Sequence, residues 1–277
     1  MAVSDRGWTA TSMTPEVLKE SQTNPREGWH MKLRGTGVLV CVLACLAFGA
    51  ASAIALTIIG TDGPDVITGS DQADQIDAEA GDDQINALKG DDSVVAGDGN
   101  DTAALDFGRD QFDGGPGDDQ ADGGVGRDQL LGGDGNDYLL GGRGNDEILG
   151  QAGDDLLRGF FGNDLVRGRD GNDEVHGGPG TDIEFAGPGV DTVFGGRGND
   201  VISALAQVDV PEPGVDTVHA RKGNDLIRVR DGEADQVFCG HGFDTVIADH
   251  EDQTAQGCER VLRGDPQSGD DNEELSS

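Results

Sequence analysis

Apolar side chains return along this chain at one fixed interval. Ile67, Ile76, Ile85 and Val94 lie nine residues apart, and each follows an Asp by two places. With that Asp at the sixth place of a nine-residue unit, the frame runs from Asp65 to Asp200 over sixteen units without an insertion. The fourth place is Gly in all but one unit, where Gln72 stands, and the eighth is apolar in all but one, where Glu184 stands. A period of nine is neither that of a helix face nor of one long strand, and it marks a repeat array. The stretch 132–149, "GGDGNDYLLGGRGNDEIL", shows two units in full. The pattern predicts glycine-rich turns, each followed by one inward-facing apolar residue.

Composition changes this picture in one respect. Asp and Glu number 54 against 19 Lys and Arg, a formal charge of −35, and aromatic residues make up 4%. Such an acid surplus repels itself when compact unless cations bind. It argues against nucleic acid and anionic membranes as partners, since both select basic surfaces. High charge with few large apolar residues also fits disorder, but 35% hydrophobic residues and periodic glycines oppose that reading.

Full Gly-Gly-x-Gly-x-Asp occurs in units starting at Gly114, Gly123, Gly132, Gly141, Gly177 and Gly195. On these residues the chain, over 60–203, resembles the repeats-in-toxin (RTX) calcium-binding proteins. The resemblance implies an all-β fold, a parallel β-roll (a right-handed, β-helix-like solenoid) with two nonapeptides per turn. It also implies a short strand around each eighth-place residue and calcium between stacked turns. The carboxylates it nominates are Asp101, Asp119, Asp128, Asp137, Asp146, Asp155, Asp164, Asp173, Asp182, Asp191 and Asp200. The accompanying turn glycines are Gly115, Gly117, Gly124, Gly126, Gly133, Gly135, Gly142 and Gly144.

The letters make chemical sense independently. Glycine lets a carbonyl turn toward an ion without a Cβ in the way, and calcium takes six to eight oxygens from carboxylates and carbonyls. One apolar residue per nine buries too little to offset ordering of the turn. Ion binding is therefore expected to supply part of the folding free energy, giving an unfolded calcium-free chain and a folded loaded one.

Alternate units should stack on one sheet, making Ala103 and Ala121 neighbours with Phe112 opposite, large against small. In "GGPGTDIEF" the inward place holds Glu184 between Ile183 and Phe185. Either a bulge turns Phe185 inward or an apolar pair is exposed, and the bulge is the preferred expectation. Phe160 and Phe161 place aromatics on the ion-binding edge.

Outside the repeat, 31–53 combines Lys32 and Arg34, an apolar run from Val38 to Phe48 and Ala51-Ser52-Ala53. That is the pattern of a secretory signal cleaved after Ala53. Met31 is the expected start, with 1–30 dispensable, and a lipid anchor at Cys45 is the alternative. The frame fails at "ALAQVDVPEPGVD" and resumes loosely at Asp216, Asp225, Asp235 and Asp244. The chain therefore divides into a roll at 54–203, degenerate repeats and a cap at 204–263, and an acidic tail at 264–277. Cys239 and Cys258, an even pair in an exported chain, predict a disulfide closing the cap.

The five histidines have no spaced partner, His250-Glu251 lacks the second His of H-E-x-x-H, and G-x-S-x-G is absent. Asp98-Gly99-Asn100-Asp101 lacks the Gly and Glu that an EF-hand loop requires. The reading is a secreted calcium-binding roll without catalysis. An adhesin or scaffold with an unknown surface or protein partner, or a hydrolase with its site in 204–263, are the rivals.

Overall fold

A computed structural model describes residues 55–205, 214–255 and 257–264, together with the backbone of His30–Lys32 and Leu39–Cys41. The rest of the leader, most of the signal segment and the tail beyond 264 lie outside the described residues.

The described chain is all β, wound as a parallel solenoid of about eleven turns. Successive strands alternate between two sheets, of thirteen and fourteen strands, apart from the short Phe107–Gly108 and Val125–Gly126, which extend the second sheet. Within each sheet, residues pair with those one turn later. Gln129 pairs with Glu147 and Leu130 with Ile148, while across the roll Tyr138 pairs with Leu156 and Leu139 with Leu157. The offset of eighteen makes two nonapeptides one turn. His30–Lys32 and Leu39–Cys41, within or beside the segment read as a signal, pair with the first strands of the two sheets.

The core is a double column between the sheets. Ile76, Val94, Phe112, Leu130 and Ile148 supply one side, and Ile85, Ala103, Ala121, Leu139 and Leu157 the other. Ala103 and Ala121 are paired neighbours, and Phe112 enters the same core from the opposite sheet. The first place adds a second inward position wherever it is not Gly, as at Ala78, Ala87, Ala96, Leu105 and Ala186.

The bulge expected at Glu184 does not form. Glu184 stays in register between Val166 and Ile202 and is fully buried, while Ile183 and Phe185 are exposed. Parallel pairing on both sides holds the strand in place, and a slip would cost ladder hydrogen bonds on two edges at once. Phe185 instead lies under the Arg167 guanidinium, 5.6 Å from the ring centre.

The break in the frame does not end the roll. Strand Thr192–Arg197 pairs with Thr217–Lys222, so the sheet continues past 206–213. Strands then follow to Arg260–Arg263, and Cys239 and Cys258 are bonded, nineteen residues apart.

From the third unit onward the second place of the repeat is left-handed in most units, even where it is not Gly. Glu79, Leu88, Asp106, Gln151, Phe160, Arg169 and Arg221 all have φ between 64° and 90° there. A side chain in that conformation costs roughly 1–2 kcal/mol. Replacing the exposed Arg169 (φ 88°) by Gly is expected to raise stability by about 1 kcal/mol, read by denaturant unfolding in excess calcium.

Candidate metal sites

Each sixth-place Asp ends a glycine-rich turn and starts a strand, which puts its carboxylate beneath the turn one level away. The Asp119 main-chain N–H donates to Asp137 Oδ1 at 2.9 Å, and that of Asp137 to Asp155 Oδ1 at 2.8 Å. The bond recurs along two columns. One runs from Asp65 through Asp83, Asp101, Asp119, Asp137, Asp155, Asp173, Asp191, Asp216 and Asp235 to Asp252. The other runs from Asp74 through Asp92, Asp110, Asp128, Asp146, Asp164, Asp182, Asp200, Asp225 and Asp244 to Glu259. Asp137 and Asp146 therefore belong to different columns.

One carboxylate oxygen is used in this way and the other is not. Among the described residues, seventeen sixth-place Asp Oδ2 atoms are buried without a hydrogen-bond partner, from Asp83 to Asp244. These oxygens face the first-place residue of their own unit. A Cβ built on Gly123 or Gly141 would sit 2.9 or 2.7 Å from Asp128 or Asp146 Oδ2. The fourth-place carbonyls face the next turn's glycine closely enough that a Cβ on Gly117, Gly126, Gly135 or Gly144 would overlap the oxygen of Gly99, Gly108, Gly117 or Gly126. Second-place Gly115, Gly124, Gly133 and Gly142 have φ of 85–126°.

Burial without a partner penalises the charged carboxylate. It pushes Asp83, Asp92, Asp110, Asp137, Asp164 and Asp200 up to about 6, against the partial relief of the N–H bond. Asp119, Asp128, Asp155, Asp173, Asp182, Asp191 and Asp225 are raised to about 7 for the same first reason. Burial also raises Asp101 and Asp146, and it lifts Glu184 well above the usual carboxylate range. Stacked anionic oxygens beside main-chain carbonyls are the donor set of a hard divalent cation. The residues present fit calcium.

The ends behave differently. Thr61 donates to Asp65 Oδ2 from its N–H and hydroxyl, and the Ser70 N–H donates to Asp74 Oδ2, so protein groups take those oxygens. At the other end Asp252 accepts from the Asp235 and Asp249 N–H groups, and Glu259 accepts from Asp244.

A repeat family described as "RTX calcium-binding nonapeptide repeat (4 copies)" matches nine overlapping or adjoining segments between residues 57 and 233. The chain belongs to this family. No curated protein matches it. As an RTX repeat protein it is a calcium-binding β-roll.

All eleven Asp positions nominated above fall in the two columns, and so do Asp83, Asp92, Asp110, Asp225, Asp235 and Asp244, which were not nominated. The first three share the period but have no Gly at either the first or the second place, and the rest follow the insertion. A second ladder was missed altogether. At the fifth place, Asn100 Oδ1 accepts from the Asp118 N–H, Asp118 from Asn136, Asn136 from Asp154 and Asp154 from Asn172. This ladder gives the Asn of "GND" a structural role.

The histidines also differ from the expectation of isolated residues. His176, Phe194, His219 and Phe238 stack as a column on the outer face of one sheet, with ring centres 4.5, 5.1 and 4.7 Å apart. Burial lowers the pKa of both histidines, favouring neutral rings.

Proposed function

We propose that this protein is exported and that its roll folds on calcium outside the cell, serving as a structural element without catalysis. The observation that carries the coupling is the run of buried Asp oxygens without partners. Ionised carboxylates in that position are costly unless a cation joins them. The Asp Oδ2 atoms and turn carbonyls would hold calcium, which supplies positive charge and no redox chemistry. The chain's own residues do the rest: the N–H bonds orient each carboxylate, and the glycines let adjacent turns approach.

Export rests on the signal pattern of 31–53, with cleavage after Ala53. The strands at His30–Lys32 and Leu39–Cys41 would leave with it, making Thr57–Thr61 and Val66–Thr68 the first edges. Sites of extracellular type bind at about 10⁻⁴–10⁻³ M, so the chain would stay unfolded at low cellular calcium. Calorimetric titration of the full chain should find many calcium ions bound at pH 7.5. Uptake of no calcium would end this reading. N-terminal sequencing of protein from the culture medium tests export, for which Ile54 is the expected first residue.

The aromatic column supports a surface partner as a second role. Phe194→Ala with Phe238→Ala would reduce capture of that partner from medium while leaving calcium uptake unchanged.

A further inference from the structure

The turn that contains Glu184 departs from every other rung of the core. Its neighbours along the column are Val166 and Ile202, both fully buried, and Glu184 is as buried as they are. Neither Glu184 oxygen has a hydrogen-bond partner, and the Oδ2 atoms of Asp182 and Asp200 also have none. Asp182, Glu184 and Asp200 each bring a carboxylate oxygen within 4.8 Å of the others. Two oxygens bound to one calcium at about 2.3–2.6 Å lie no more than about 5 Å apart. Gly177 leaves the room this needs: a Cβ there would overlap Glu184 Oε1 and sit 2.8 Å from Asp182 Oδ2.

We infer that Glu184 joins Asp182 and Asp200 in a three-carboxylate cation site reaching into the core, one level of the column that binds more tightly than the turn sites at the other levels. The inference rests on the calcium-binding reading above and adds a ligand that the repeat pattern does not supply. Asp182 and Asp200 are successive members of one column, joined by a 3.0 Å bond from the Asp182 N–H to Asp200 Oδ1. Elsewhere the eighth place offers only hydrocarbon or, at the last turn, Thr254. Here it offers a third negative charge, and added ligand charge in a rigid site raises calcium affinity. Two carboxylates and a buried, oriented third also favour calcium over a ligand that needs an apolar pocket, since four unpartnered oxygens line the space.

The test is calcium titration of the full chain by calorimetry at pH 7.5, comparing wild type with Glu184→Gln and Glu184→Val. Val restores the residue type of the adjacent rung, so the roll is kept while the carboxylate is lost. The expected result is one ion bound at least tenfold more tightly than the rest in wild type, missing from both variants, with the weaker ions unchanged in number. If both variants retain the full ion count and the tightest class, Glu184 is a neutral core acid and the inference is overturned. If wild type takes up no calcium, the reading of the whole roll has failed; calcium uptake that is indifferent to Glu184 removes this site alone.

Discussion

Acidification is expected to fold the calcium-free protein. In chelator at pH 8 most of the column carboxylates would be ionised and unpartnered if buried, and on lowering the pH toward 5 they can take up protons inside the roll. The direction follows from the raised values. Asp110 and Asp137 rise from 3.8 to about 6, and Asp119, Asp128 and Asp155 to about 7, burial being the first cause. A carboxyl that holds its proton more tightly when folded contributes stability that is complete below about 4 and is lost as pH rises through 6 to 7. Asp235 at about 8 and Asp216 at about 9 extend the loss upward. Calcium should act in the opposite sense, since it binds the ionised form, and its affinity should fall as protons compete. Far-ultraviolet circular dichroism in chelator at pH 5 and pH 8 reads the effect, a β spectrum being expected at pH 5 and a disordered one at pH 8; the same disordered spectrum at both would show that the carboxylates are not the coupled groups.

Gly144→Ala is expected to be among the most damaging small substitutions in the roll. Gly144 has φ 151°, and a Cβ there overlaps the Gly126 carbonyl oxygen one turn away and lies 2.9 Å from Asp146 Oδ1. Both are fixed by the stack, so relief requires moving a whole turn. Strain and overpacking together should cost roughly 2–5 kcal/mol. A solenoid carries such a defect as a break between neighbours, so the unfolding transition should broaden or divide. Gly63→Ala is the control, because Gly63 holds the same place in the first unit with nothing within 4 Å of a Cβ. It should change stability by less than about 0.5 kcal/mol, and similar losses in the two variants would contradict the role given to close carbonyl stacking.

The period, the two sheets and the carboxylate columns were legible because each turn repeats the same packing problem with the same letters. Asp137 and Leu139 could be placed from spacing alone once two units were taken as a turn. What escaped the sequence depends on contacts between turns. The Asn100, Asp118 and Asn136 ladder requires knowing that the side chain of one turn meets the N–H of the next. Asp252 and Glu259 end the columns seventeen and fifteen residues after their partners, off the period that identified the others. Glu184 was read as a slipped strand because an inward carboxylate is costly in isolation, whereas two flanking ladders fix the register regardless of that residue. Arg169 and Phe160 stand at a left-handed position that only the repeat's other glycines betray.

Calcium binding and folding are expected to be one equilibrium. Far-ultraviolet circular dichroism of the chelated protein at pH 7.5, followed as calcium is added, tests it most directly. The expected result is a disordered spectrum that converts cooperatively to a β spectrum over the same calcium range in which ions bind. A full β spectrum in excess chelator, unchanged on adding calcium, would contradict it.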